Sequence, residues 1–287
     1  MSVLQQIALT KQTEIQAAKQ VVSINDLRAR FSDVPAARAF LPPTPRTGKN
    51  AHPDHPSDPS HLLSLVLEIK PASPSQGNLA QAQGQAFDPA PYVQAYAPFA
   101  CALSVLTDAP YFGGSLALLA QVRALTALPL LRKDFILDAY QLFEARAHGA
   151  DAVLLIAKLL TDDALYADLA AQARALGLTP VLEVQTEQEL SRTLSLIQPG
   201  DAVLINNRNL DTLVLDLQTT PRLAALIPEA IAKKNTIISA SGITSVEDLD
   251  LLRQDAQTFL IGSHLMKLPV AQIPEVLHAL TRERDRV

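Results

Sequence analysis

From residue 62 onward, short apolar runs alternate with longer stretches of helical periodicity. The runs are LVLEIK (65–70), CALSVLT (101–107), PLLRKD (129–134), AVLLIAK (152–158), PVLEV (180–184), AVLINN (202–207), NTIISAS (235–241) and QTFLIGS (257–263). Each is too short for a helix, and most are apolar at successive positions. Such strands are buried on both faces, as in a parallel sheet covered by helices. Between them, TDDALYADLAAQARALG opens on a Thr-Asp-Asp capping signal and closes at Gly177, which suits the left-handed residue that ends a helix. Eight strand–helix units predict a closed (β/α)8 TIM barrel of the α/β class. An open doubly wound sheet is the alternative, but it usually has fewer strands, and no GxGxxG turn follows the first run.

The chain ahead of the barrel reads differently. Residues 1–41 are expected to form a helical extension: Val3, Ile7 and Ile15 recur near helical spacing, and Ser23 suits an N-cap for INDLRARF. Residues 42–61 are crowded with proline and polar residues and read as a flexible loop. His52, Asp54, His55, Asp58 and His61 fall in that loop. A metal site needs ligands held in fixed geometry by supporting groups, which a Pro-rich loop does not supply, so no metal is expected. The barrel is placed over 62–287.

Composition narrows the class. A chain of 287 residues, 48% hydrophobic and 18% charged, can bury a large core and has a soluble profile. A net charge of −5 with no long basic run excludes a nucleic-acid surface. Gln, Lys and Glu interrupt the first residues, so no signal peptide is expected there, and no run reaches the roughly 18 apolar residues of a membrane span. A cytoplasmic enzyme is expected. The single cysteine, Cys101, cannot pair internally, and its apolar run predicts a buried, inert thiol.

In a (β/α)8 barrel the chemistry sits at the C-terminal ends of the strands. Collected there, the first strand offers Glu68 and Lys70, which share one side because side chains alternate along a strand. The third offers Lys133 with Asp134 beside it, the fourth Lys158, the fifth Glu183, and the sixth Asn206 and Arg208. Any one of these alone is most simply a rim charge or an ion pair; their recurrence at strand after strand is not. The last two strands end in Ser241-Gly242 and Gly262-Ser263, small residues that let backbone N–H groups approach an anion. Lys70 and Arg208 add positive charge for a phosphorylated small molecule.

These segments resemble the indole-3-glycerol-phosphate synthase family of tryptophan biosynthesis. The residues that carry the resemblance are EIKPASPSQG (68–77), SVLTDAPYFGGS (104–115), LLRKDFILDAYQ (130–141), LEV (182–184), INNRNL (205–210), SASGI (239–243) and FLIGSHLM (259–266). The N-terminal LQQIALTKQTEIQAAK is similar to the helical extension that this family places over its barrel. The resemblance implies a carboxy-lyase converting 1-(2-carboxyphenylamino)-1-deoxyribulose 5-phosphate to indole-3-glycerol phosphate, with release of carbon dioxide and water. It implies Lys133 as general acid, Glu183 as second acid-base group, Lys70 as the lysine that holds the anionic substrate, and Glu68 as its electrostatic neighbour. Asn206 and Arg208 would orient the substrate. Ser73, Ser241, Gly242, Gly262 and Ser263 would contact substrate and phosphate. Phe112 and Phe135 are candidates to house the phenyl ring, or are ordinary core. No cofactor and no metal are implied, and a monomer is expected.

The chain also departs from the family pattern. Ala240 stands before Ser241-Gly242-Ile243 where the family usually has Glu, and Gln76 stands where it often has Lys. The missing carboxylate motivates a second reading, a non-catalytic paralogue that binds a phosphate ligand. A third is another ribulose-phosphate isomerase or epimerase barrel, which would usually lack the Lys70, Lys133 and Glu183 combination.

Overall fold

The computed structural model describes residues 3–41, 63–73, 77–78, 87–256 and 258–281. The Pro-rich stretch 42–61 and Gln76 lie outside the described residues. The strands are β1 Ser64–Ile69, β2 Ala100–Leu106, β3 Leu130–Lys133, β4 Ala152–Ile156, β5 Thr179–Val184, β6 Ala202–Asn206, β7 Thr236–Ala240 and β8 Thr258–Ile261. They close into one parallel barrel in chain order, with β8 pairing back onto β1. Each of the eight predicted strands is present, displaced by a few residues at its ends. Helices follow every strand, among them Asp163–Ala175, which Asp162 caps and Gly177 ends at φ +76° as the sequence predicts.

The alternation of side chains builds two cores. Outward-facing residues such as Leu67, Leu103, Leu155 and Leu182 pack under the helices. Inward-facing residues form a ring with one member per strand: Val66, Ala102, Leu131, Leu154, Val181, Leu204, Ile238 and Leu260. Two residues further along, a strand points to the same face. Those positions are Glu68, Ser104, Lys133, Ile156, Glu183, Asn206, Ala240 and Gly262. The apolar ring therefore forms the base of the barrel interior, and the next ring up carries the charges.

The N-terminal extension is helical over α1 Val3–Val21 and α2 Ile24–Ala29, with a 3-10 turn at Arg30–Asp33. Ser23 and Asp26 form a reciprocal capping box at the start of α2. Residues 34–41 are not helical, against expectation; Pro35 lies at this boundary, where a helix is readily broken. The segment runs from one end of the barrel to the other. Leu4 and Ile7 join the interior cluster at the C-terminal ends of the strands. Tyr140 donates to the Ala18 and Val22 carbonyls at 3.2 and 2.9 Å, holding the middle of the segment to helix Ala139–Ala147. The Arg38 N–H then donates to Asp151, just before β4, at 2.8 Å, and Phe40 and Leu41 bury themselves against the interior ring from that end.

Cys101 lies near the start of β2 and is partly rather than fully buried. Its thiol donates to the Leu65 carbonyl at 3.1 Å, and burial of the sulfur pushes its pKa up to about 12, which fits an inert thiol.

Candidate active site

A cavity of about 280 Å³ opens at the C-terminal ends of the strands. Glu68, Lys70, Lys133, Glu183, Asn206, Arg208, Ser241, Gly242, Gly262 and Ser263 all line it. Among the expected site residues only Ser73 is not placed there: its backbone pairs with Gly77 in a short antiparallel ribbon, and its side chain lies outside the described residues.

The charges are arranged in pairs. Glu68 Oε1 is 2.7 Å from Lys70 Nζ, and its Oε2 is 3.9 Å from Lys133 Nζ. Burial alone would raise the Glu68 carboxyl; Lys70 and then Lys133 hold it below the usual carboxylate range instead. Lys70 Nζ also donates to Ser263 Oγ at 2.8 Å, linking the end of β1 to the turn after β8. That closeness needs Gly262. A Cβ there would stand 2.3 Å from Glu68 Oε1.

Glu183 is 1% exposed at the end of β5. Burial pushes its carboxyl above the usual range, against the opposing pull of Lys133 and of a 2.9 Å hydrogen bond donated by Asn206 Nδ2 to its Oε1. Its Oε2 has no partner among the described residues. The Asn206 carboxamide oxygen in turn accepts from the Arg208 N–H at 3.0 Å, so one side chain orients both neighbours. Glu68 and Glu183 are thus two carboxyls in one cavity whose surroundings push their protonation in opposite directions, as acid–base chemistry requires.

At the other end, Ser241 and Gly242 both take left-handed backbone, at φ +71° and +83°. For Ser241 this conformation is strained and must be held. Asn207, only 1% exposed, holds it: its Nδ2 donates to Ser239 Oγ at 3.1 Å and to the Ser241 carbonyl at 3.2 Å. Thr220 Oγ1 donates to Asn207 Oδ1 at 2.8 Å. Asn207 was not singled out from the sequence, because its neighbour Asn206 has the parity that points inward.

Two other strand-end charges are not in the cavity. Lys158 pairs with Asp211 at 2.5 Å. Asp134 points away from Lys133 and is paired with Arg132 at 3.0 Å and Lys11 at 3.1 Å, as strand alternation dictates. Phe112 and Phe135 both line the cavity, with ring centroids 6.0 Å apart. Leu4 and Ile7 of α1 complete this apolar wall. Helical spacing predicts Val3, Ile7 and Ile15 as the buried stripe; in the structure Leu4 is buried in place of Val3, which is exposed, and the spacing does not show that the stripe faces a cavity.

A family model described as indole-3-glycerol phosphate synthase matches residues 4–273. The chain belongs to the indole-3-glycerol phosphate synthase family. The indole-3-glycerol phosphate synthase of Rhodospirillum rubrum is 38% identical over 269 residues, covering 93% of this chain and 95% of the relative. That of Neisseria gonorrhoeae is 40% identical over 268 residues, covering 92% and 94%. That of Polaromonas naphthalenivorans is 45% identical over 207 residues, covering 71% and 74%. Among solved structures, the tryptophan synthase alpha-subunit of Pyrococcus furiosus aligns over 76% of this chain and 97% of its own with a TM-score of 0.53; at 14% identity it shows the barrel fold alone. No helix among the described residues is long and apolar enough to cross a membrane.

Within this synthase family site, the inward ring of the odd-numbered strands reads Glu68, Lys133, Glu183 and Ala240. Ala240 lines the cavity and is 3% exposed, so at this corner a methyl group takes the place that the family usually gives to a carboxylate.

Proposed function

We propose that this cavity converts 1-(2-carboxyphenylamino)-1-deoxyribulose 5-phosphate to indole-3-glycerol phosphate, with Lys133 as general acid and Glu183 as the acid–base group of the dehydration. The substrate ketone must gain a proton as the ring carbon bearing the carboxylate attacks it. Lys133 Nζ reaches the cavity from β3 and meets Glu68 only at 3.9 Å, which leaves it a proton to offer a substrate oxygen. Loss of carbon dioxide then returns electrons to the ring. The new hydroxyl leaves as water, taking a proton from an acid while a base removes one from the neighbouring carbon. Glu183, whose carboxyl is raised by burial and whose Oε2 accepts no hydrogen bond of good geometry among the described residues, supports this second role. Every step is a bond formed by an electron pair of the substrate, a heterolysis or a proton transfer, so the chemistry calls for no redox group.

The single observation that carries the reading is that Lys133 and the buried Glu183 line one cavity, where the Lys133 charge acts on the Glu183 carboxyl. Lys70, which bridges Glu68 and Ser263, would hold anionic substrate groups. The Ser241-Gly242 and Gly262-Ser263 turns would take the phosphate, with Arg208 adding charge. Phe112 and Phe135 would pack the phenyl ring. Ser73 stays a proposed contact. The domain division into an extension at 1–41, a loop at 42–61 and a barrel at 62–287 follows the same reading. So does a monomer acting in the cytoplasm with no nucleic-acid partner, because the chain's own α1 completes the cavity wall and the net charge is −5. The test is turnover of the purified full chain with the carboxyphenylamino substrate, followed by the appearance of indole fluorescence. An absence of indole product, with phosphate ligands still bound, would support the non-catalytic reading instead.

A further inference from the structure

The buried stripe of α1 runs Leu4, Ile7, Lys11, Ile15, so a lysine stands in the middle of an apolar face. Lys11 is only 5% exposed. A buried ammonium is tolerated only where carboxylates and hydrogen bonds compensate its lost hydration. Its Nζ lies 2.7 Å from Glu14, 2.8 Å from Asp108 and 3.1 Å from Asp134. Glu14 belongs to the same helix; the other two belong to the barrel. We infer that Lys11 is a positioning residue, whose ion pairs with Asp108 and Asp134 dock α1 over the cavity so that Leu4 and Ile7 form the wall facing the substrate's aromatic ring. This rests on the activity proposed above.

Both carboxylates also build the site. Asp108 Oδ2 accepts the Tyr111 N–H at 2.9 Å and so starts the turn Ala109–Phe112 that brings Phe112 to the cavity. Asp134 follows Lys133 directly, and its Oδ1 accepts the Phe135 N–H at 2.8 Å. One ammonium therefore joins the helix to the Phe112 turn and to the Lys133–Phe135 segment. The Thr10 and Tyr111 hydroxyls, 3.0 Å apart, tie the same two elements. Burial alone would make Lys11 easier to deprotonate; Asp134, Asp108 and Glu14 outweigh it and keep the ammonium charged.

Further anchors hold the far end of α1. Lys19 pairs with Asp138 at 2.6 Å, and Ile15, Ala18 and Val22 pack against Tyr140 and Phe143. Removing Lys11 would release the half of α1 that carries Leu4 and Ile7 while the other half stays held. A pocket that loses its apolar cover loses substrate binding uniformly in ground and transition states, which raises KM and spares kcat.

The experiment uses full-length Lys11→Met, Lys11→Arg and the double variant Lys11→Met/Asp108→Asn, which removes the unpaired carboxylate charge in case the single variant folds poorly. Hydrogen exchange in Lys11→Met should quicken about tenfold or more over residues 3–12, with 15–21 and the barrel strands unchanged. KM should rise about tenfold with kcat within about threefold, the loss expected from uncovering one ring face. Inhibition by inorganic phosphate should stay within about twofold, since the turns proposed for it take no part in the ion pairs that hold α1, and Lys11→Arg should recover most of KM. Parent-like exchange over 3–12 with parent-like KM would overturn the inference. So would an equal loss of phosphate inhibition and of protection throughout the barrel, or failure of both Met variants to fold, either of which makes Lys11 a residue of the fold at large. A parent chain without turnover would count against the proposed activity, and exchange alone would then decide whether Lys11 docks the helix.

Discussion

Asn206 Nδ2 donates to Glu183 Oε1 at 2.9 Å, inside a barrel where Glu183 is almost wholly buried. The bond fixes which carboxyl oxygen is free and holds the group that burial has made reluctant to ionise. Glu183→Gln should therefore separate stability from activity. Turnover should fall about 10²-fold or more, since the dehydration loses its acid–base group. Stability should move the other way. A carboxyl whose folded pKa is raised binds more protons folded than unfolded, so it costs stability as pH rises from the ordinary carboxylate range through the folded value. Removing it should raise Tm at neutral pH, and the gain should disappear at pH values below that range. A pH series of melting curves for the two proteins measures this; a lower Tm for the variant at neutral pH contradicts it.

Lys133→Met should lose turnover by about 10²-fold or more while circular dichroism and Tm stay near the parent. Among the described residues its ammonium makes one long ion pair, at 3.9 Å to Glu68, so the fold depends on it little. A variant that keeps most of its rate removes Lys133 from the acid role.

Gly262→Ala places a methyl group 2.3 Å from Glu68 Oε1 and must push that carboxylate away from Lys70. Displacement by about an ångström at a reacting centre costs on the order of 10²-fold in rate, and kcat/KM is the readout. A crystal structure of the variant should show the Glu68–Lys70 pair broken. An unchanged rate with Glu68 displaced would show that the pair is not needed.

Sulfate or phosphate should bind between Ser241-Gly242 and Gly262-Ser263, and inorganic phosphate should compete with substrate. The expected density lies against two turns, one of them strained at Ser241 and held by Asn207. Density confined to other places in a sulfate-soaked crystal refutes the assignment.

Ala240→Glu restores a carboxylate to the fourth odd-numbered strand, in register with Asn206 on the neighbouring strand. A second negative charge close to Glu183 should raise the Glu183 carboxyl further, so the limb of the kcat/KM profile that it sets moves to higher pH. At neutral pH the change should stay below about tenfold, near 1.4 kcal/mol in barrier. A silent parent that this substitution switches on would favour the paralogue that binds without turnover.

Much of this site was legible in the chain itself. A strand alternates with period two, and a barrel places its chemistry at strand C-termini. Those two rules select Glu68, Lys133, Glu183 and Asn206 from the apolar runs before any coordinates exist. The same alternation explains why Lys133 and Asp134, adjacent in sequence, part company: one lines the cavity, the other joins Lys11 and Arg132. Tertiary structure alone decided the rest. Helical spacing marks Ile7 and Ile15 as buried but not against what, and it gives no sign that Lys11 is buried beside them, because its barrel partners Asp108 and Asp134 lie about a hundred residues away. The fate of Lys158 depended on where Asp211 came to rest, and the closing of the far end by Phe40 and Leu41 on a segment with no regular structure. Local periodicity specifies which face of an element is buried; only the closed barrel brings distant faces together and gives each buried charge its partner.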